Sequence, residues 1–204
     1  MKERKKREKA DRKAQILNAA RALLFSKGLE GTSINGIAAL VELSVAAIYR
    51  YYRNKAEIIF DLSEEGLQLL QSSLTRAAAD ERHPEKKLEA IALAYRDFST
   101  TRKEYFTVIN HFLASPQTVL PDHLKYKIDC HGEEILMQVV AAVEKGCSSG
   151  HFTCRDPHRF SLMFWGAING IIQLQKIEHT IFSGKGHAEL YRHTVKTLID
   201  SIRA

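Results

Sequence analysis

Residues 33–52 read SINGIAALVELSVAAIYRYY. Two short apolar runs stand on either side of a polar break. Thr32 or Ser33 precedes the first run and Ser44 the second, each where a hydroxyl can accept a hydrogen bond from the first turn of a helix. Ala38 is small where two such helices would cross. Ile37, Val41, Leu43 and Ile48 are apolar where the pair would lock onto a third helix. These are the packing needs of a helix-turn-helix, whose second helix enters the major groove of DNA. One position departs: the turn favours glycine, because its backbone is left-handed, and the residue here is Glu42. A side chain in that conformation costs about 1 kcal/mol.

The neighbouring segments carry the helical period. Ile16, Ala20, Leu23 and Leu24 make one apolar face of a helix predicted from about Lys9 to Lys27, with Gly28 as its stop. Residues 1–9 form a basic arm ahead of it. The Ser44 helix is predicted to run to about Tyr51. Asn54 caps a long fourth helix from Lys55 to about Ala79. Pro84 opens a fifth helix, and a sixth spans EYFTVINHFLAS and stops near Pro116. A seventh runs from about Pro121 to Gly146, followed by the loop-like GCSSGHFTCRD. Asp156 and Pro157 open an eighth helix, predicted to end near Ile181 and apolar nearly all round. Gly184 and Gly186 separate it from a last helix of about His187 to Ile202. The fold class is all-α. Its divisions are the arm (1–9), a DNA-binding domain (10–70) and a C-terminal helical bundle (71–204).

Charge sharpens the functional reading. Residues 1–60 hold 13 Lys and Arg against 6 Asp and Glu, a surplus of +7, while the rest of the chain is near neutral at −1. A basic block of this kind implies an anionic partner, nucleic acid or a membrane surface. No run of apolar residues is long enough to span a bilayer, and the charged N-terminus has no apolar stretch behind it to make a secretory signal. With three cysteines, an odd count, these features point to a reducing cytoplasm. No Gly-rich phosphate loop, nucleophile motif or paired carboxylates occur, so the chain does not read as an enzyme and no cofactor is implied.

The span from about residue 10 to 60 resembles the TetR family of bacterial transcriptional regulators. The matching residues are Ile16, Ala19, Ala20, Leu24, Phe25, Gly28, Thr32, Ser33, Ile34, Ile37, Ala38, Ser44, the run Ile48-Tyr49-Arg50-Tyr51-Tyr52, Asn54 and Lys55. The resemblance implies that Ser44 to Tyr51 is the recognition helix. It makes Thr32, Ser33, Tyr49, Tyr51 and Lys55 candidates for phosphate or sugar contacts. After the serine stand Val45, Ala46 and Ala47, which offer only methyl groups; these suit the thymine C5-methyl. Arg50 can fork onto a guanine or clamp a phosphate. An operator core leaning to A·T follows, with part of the specificity from DNA shape. The basic arm, with Lys2, Arg4, Lys5, Lys6, Arg7 and Lys9, would add phosphate or minor-groove contacts.

The resemblance also implies a C-terminal domain that binds a small inducer and dimerises through its last two long helices. Candidate pocket residues are Tyr95, Phe98, Phe106, Asn110, His111, Tyr126, Phe164, Trp165 and Asn169; the polar ones point best, since a polar side chain inside an apolar bundle wants a partner. No acidic cluster lies among them, which favours a neutral or weakly anionic apolar inducer. Candidate interface residues are Phe160, Ile168, Ile171, Leu190, Thr194, Leu198 and Ile202. Cys147, His151, Cys154 and His158 are of the types zinc takes, but their gaps do not fit a zinc finger, so no metal is assigned. The combined reading is a ligand-responsive homodimeric repressor on double-stranded operator DNA. The rival is a helical module whose basic end binds anionic membranes or acidic proteins.

Overall fold

The computed structural model describes residues 2–114, 121–175 and 186–204. Among these the chain is helical, in the order α1 (Lys2–Gly31), α2 (Ile34–Leu40), α3 (Val45–Tyr49), α4 (Lys55–Ala79), α5 (Pro84–Thr101), α6 (Lys103–Ala114), α7 (Asp122–Ser148), α8 (Pro157–Leu174) and α9 (His187–Asp200). The expected ends of the sixth helix at Pro116 and of the eighth at Ile181 lie outside the described residues.

The caps read from the sequence are in place. Ser33 Oγ accepts from Gly36 N and Ser44 Oγ from Ala47 N, each at 3.1 Å. Asn54 Oδ1 accepts from Glu57 N at 2.9 Å, while Glu57 accepts from Arg53 N at 2.8 Å, so the start of α4 is held by side chains on both sides of it. Asp156 Oδ1 accepts from Arg159 N at 2.9 Å, with Pro157 in the first turn of α8.

The first helix differs from expectation at its start. Its helical backbone begins at Lys2, so the basic arm is an extension of α1 rather than a separate stretch of chain. Near its other end Gly28 breaks the helix with φ +70°, and the next turn tightens around Thr32, whose hydroxyl donates to Gly28 O at 2.9 Å.

The chain divides into two compact units. One comprises residues 1–68 and 102–129, the other 69–101 and 130–204; the division falls within α4 and again within α7. In the first unit the core gathers Ile16, Ala20 and Leu24 of α1, Ile37 and Ala38 of α2, Ile48, Tyr52, Ile58 and Leu62, with Val108 of α6. Ile16, Ile37, Ile48, Ile58 and Leu62 are fully inaccessible, so truncating any one of them to alanine costs about 2–5 kcal/mol. α1 is also held to α4 and α6 by polar contacts: Arg21 Nη2 donates to Glu65 at 2.9 Å and Arg21 Nε to Tyr105 Oη at 3.1 Å.

In the second unit α5, α8 and α9 pack together around Leu88, Ile91, Phe98, Phe164, Ile168, Tyr191, Val195 and Ile199. Tyr191 Oη donates to Ala92 O at 2.6 Å in full burial, and His187, also buried, lies with Nε2 2.6 Å from Ile171 O. Phe160, Ile168 and Ile202, expected at a dimer interface, are buried within this unit. They pack α8 and α9 onto their own chain, and the face of α8 that stays open is a different one, described below.

Candidate functional site

The site begins at the turn between α2 and α3. Leu43 N donates to Ala38 O at 3.0 Å and Glu42 N to Ala39 O at 3.4 Å, which folds the chain back over Ala38. Glu42 takes φ +53°, the left-handed conformation expected of this position in spite of its side chain. Ile48 is fully buried and fixes the roll of α3. That roll decides what α3 can offer a ligand. Val45 packs against the core and Ala47 is half-buried, so the methyl face expected from Val45, Ala46 and Ala47 narrows: Ala46 is its exposed centre. Tyr49 is 49% exposed and Arg50 is exposed beside it. Tyr51 is half-buried and packs against the core.

Three expected phosphate contacts find other work. Thr32 is fully buried and bound to Gly28 O, so its hydroxyl serves the α1–α2 turn. Ser33 Oγ is engaged as the cap of α2, although the residue is exposed. Lys55 Nζ donates to Leu29 O at 3.4 Å, tying the start of α4 to the end of α1. Tyr52, the third tyrosine of the run, belongs to the interior. Its hydroxyl donates to Asp61 Oδ2 at 2.8 Å, and Lys13 Nζ lies 4.4 Å above its ring and 3.5 Å from Asp61. Burial, with the Asp61 charge second, pushes the Tyr52 phenol far up, so it stays a neutral donor.

Arg12 was not legible as part of the site. It lies one helical turn beyond Lys9, the last cation of the basic arm. With Glu8, Arg50 and Tyr51 the two line an open groove of about 530 Å³. The signal that could have found Arg12 is its i, i+3 spacing from Lys9 on the extended α1. The groove brings cations from α1 and from the end of α3 to one place, which suits a phosphate better than any single side chain would. Residues 16–62, which include the whole helix-turn-helix, match the model of the bacterial regulatory proteins of the tetR family. Residues 16–62 thus carry a TetR-family DNA-binding domain. The chain is 24% identical over 178 residues to the HTH-type transcriptional regulator TtgR of Pseudomonas putida, spanning 83% of this chain and 82% of that protein.

The likeness of fold extends beyond the TetR-family domain. A protein of unknown function from Rhodococcus sp. RHA1 superposes with a TM-score of 0.77 at 20% identity, covering 94% of this chain and 95% of the other. AibR, solved with isovaleryl coenzyme A and operator DNA, superposes with a TM-score of 0.64 at 20% identity, covering 92% and 98%. No described helix is long and apolar enough to cross a membrane.

The pocket candidates separate between the two units. Tyr95, Phe98, Phe164, Trp165 and Asn169 belong to the second. There Tyr95 Oη donates to Asn169 Oδ1 at 2.7 Å, and the Tyr95 and Trp165 rings lie 4.5 Å apart and tilted. Phe98 and Phe164 are buried core. Phe106, Asn110, His111 and Tyr126 belong to the first unit. Asn110 Nδ2 donates to Phe106 O within its own helix at 2.9 Å, His111 is exposed with its ring edge to Phe112, and Tyr126 is 70% exposed.

The outer face of α8 is apolar and open. Leu162 is 50% and Met163 59% exposed, and an added Cβ at Gly166 or Gly170 would meet only open space. On α9, Leu190, Thr194 and Leu198 form a half-buried stripe, and Ile171 on α8 is half-buried too. Among the described residues no group of His, Cys, Asp and Glu is arranged to hold a metal ion; Cys147, His151, Cys154 and His158 do not converge on one.

Proposed function

We propose that this chain is a repressor that binds operator DNA as a homodimer and releases it when a small apolar or weakly anionic molecule binds the C-terminal domain. The observation that carries the DNA part is the presentation of α3. Ile48 anchors it inward while Ala46, Tyr49 and Arg50 stand outward beside the Lys9–Arg12 groove. Ala46 reads a thymine methyl, Arg50 a guanine or a phosphate, and Tyr49, Tyr51, Lys9 and Arg12 hold the backbone. Ser33 and Ser44 fix the helix starts.

The dimer is supported by the open face of α8. Leu162 and Met163, with Gly166 and Gly170 allowing close backbone approach, make an apolar surface of the kind that calls for a partner. Ile171, Leu190, Thr194 and Leu198 border it in this proposal, giving a four-helix interface from two chains. Two copies place two recognition helices ~34–36 Å apart, one turn of DNA.

For the inducer, the polar pair Tyr95–Asn169 beside Trp165 supports a site with an aromatic wall and one hydrogen-bonding point. AibR was solved with isovaleryl coenzyme A, and an apolar acyl group of that kind fits a ligand of this general character. α4 runs without a break from Lys55 to Ala79, from the DNA-binding domain (10–70) into the ligand and dimerisation domain (71–204). The ligand acts by preferring the arrangement whose half-site spacing does not fit DNA. The protein works in the cytoplasm on double-stranded DNA. Footprinting on the DNA upstream of its own gene tests the reading. Protection of a symmetric site, lost on adding inducer, supports it; uniform coating without a boundary overturns it.

A further inference from the structure

We propose that Cys147 and Cys154 are a reversible oxidation site, closed to an intrachain disulfide by a hydroperoxide. This inference does not depend on the DNA-binding reading, since both residues belong to the second unit. A tightly built turn brings the Cys147 thiol against the backbone of Cys154. Cys147 lies in the last turn of α7, and its thiol donates to Cys154 O at 3.9 Å. Both residues are half-buried and free.

The turn between them has little freedom to separate the pair. His151 N and Phe152 N both donate to Gly146 O, at 2.9 and 3.1 Å. The Phe152 ring lies where a Cβ on residue 146 would be, 2.0 Å from it, so only glycine allows this closure. Thr153 N donates to Ile202 O and Ala204 N to His151 O, which pairs the turn with the C-terminal residues in a short antiparallel bridge. Arg203 then forks onto Glu85 at 2.9 and 2.6 Å, anchoring those residues to α5. The backbone leading into Cys154 is therefore held while its side chain rotates toward Cys147. A disulfide needs its Cβ atoms to come within about 3.5–4.5 Å.

The chemistry balances with the peroxide as the sole oxidant. The thiolate of Cys147 attacks the peroxide O–O bond, giving a sulfenic acid and releasing hydroxide. The Cys154 sulfur then attacks the sulfenic sulfur, forming S–S and expelling water. Burial pushes the Cys154 thiol up, opposed by a hydrogen bond from the Asp156 backbone, and the adjacent Cys147 thiol acts in the same direction as burial. That disfavours Cys154 as the first to react and assigns the first step to Cys147. Cys130, elsewhere on α7, has no part in the step.

The test uses the full chain, reduced, then treated with a small excess of hydrogen peroxide and quenched. Intact mass should fall by a pair of hydrogens. Peptide mapping should show Cys147 joined to Cys154, a thiol reductant should reverse it, and the melting temperature of the oxidised form should rise by about 4–10 °C. Cys130→Ser should leave all of this unchanged. Cys154→Ser should leave a sulfenic acid on Cys147 that dimedone labels, whereas Cys147→Ser should leave Cys154 unlabelled. Added oxygen on either cysteine without a cross-link, a cross-link between chains, or reaction at Cys130 alone would overturn the proposal. Because the wild-type mass decides it, a variant that fails to fold does not rescue it.

Discussion

Arg21 on α1 grips Glu65 on α4 through two guanidinium nitrogens, Nε at 3.2 Å and Nη2 at 2.9 Å, and the same Nε reaches Tyr105 Oη on α6. Three helices of the first unit thus share one polar knot, with the charged side chains 30% and 29% exposed. The Glu65 carboxylate holds the Arg21 guanidinium firmly in its charged form. Solvent screening limits the energy of such a pair, so Arg21→Ala should destabilise the chain by about 1 kcal/mol. A double-mutant cycle with Glu65→Gln should return a coupling of about 0.5–1 kcal/mol. Additive losses in denaturant unfolding would show that the two groups do not act together.

Glu42→Gly should stabilise the protein by up to about 1 kcal/mol, because it relieves a side chain held at φ +53°. The extra freedom glycine gives the unfolded chain works against part of that gain. The check is the urea midpoint at unchanged slope. A lower midpoint would mean the Glu42 side chain contributes something in the folded state that the turn geometry does not reveal.

Alkaline pH should unfold the protein through its tyrosines. Burial first, and then Glu65, pushes the Tyr105 phenol up to about 12, while burial raises Tyr52 and Tyr191 further. A raised folded value means the folded state keeps protons that the unfolded chain gives up near its ordinary value of about 10. Stability is therefore full below about pH 10 and is lost as pH climbs from there toward about 12 and beyond. Absorbance of phenolate against pH should show some tyrosines ionising only together with loss of helical ellipticity. Complete ionisation of all seven before any unfolding would contradict the burial of these three.

Asn169→Ala should cost about 1 kcal/mol through the lost bond from Tyr95 at 2.7 Å. If that pair belongs to the inducer site, the variant should also lose the ligand-induced rise in melting temperature while still binding DNA. An unchanged ligand shift would remove Asn169 from the site.

How much of this was readable in the residues depends on the range of the interaction. Ser33, Ser44, Asn54 and Asp156 were legible as caps because a cap acts within three residues of itself. α4 was placed at both ends because Asn54 starts it and its apolar period persists to Ala79. The left-handed turn at Glu42 followed from the motif's register alone. What failed was rotation and reach. The sequence marked Val45, Ala46 and Ala47 as equivalent, but the roll of a five-residue helix is set by Ile48 meeting the core, and it turns Val45 inward. Lys55 looked like a phosphate ligand until the broken end of α1 put Leu29 O within its reach. α8 read as apolar nearly all round. Its interior half is Phe160, Phe164, Ile168 and Ile172, and the half carrying Leu162 and Met163 is open. An apolar period shows that a face must be covered, and only the packing shows whether by the same chain.

Arg50→Ala should weaken operator binding by about 1–3 kcal/mol, or roughly 5- to 150-fold. Lys9→Ala or Arg12→Ala should lower affinity for every sequence alike and flatten the salt dependence by about one unit of slope per lost phosphate contact. A loss confined to one sequence in the Lys9 or Arg12 variants would instead put those side chains on a base.

The sharpest check on operator recognition by α3 is selection of bound sites from a random DNA pool at near-physiological salt. The expected product is a two-fold symmetric site with A·T-rich half-site cores whose centres lie one helical turn apart, and the Arg50→Ala variant should recover the same A·T-rich cores at weaker affinity. Sequence-blind recovery of DNA, or equal binding to anionic vesicles, would contradict it.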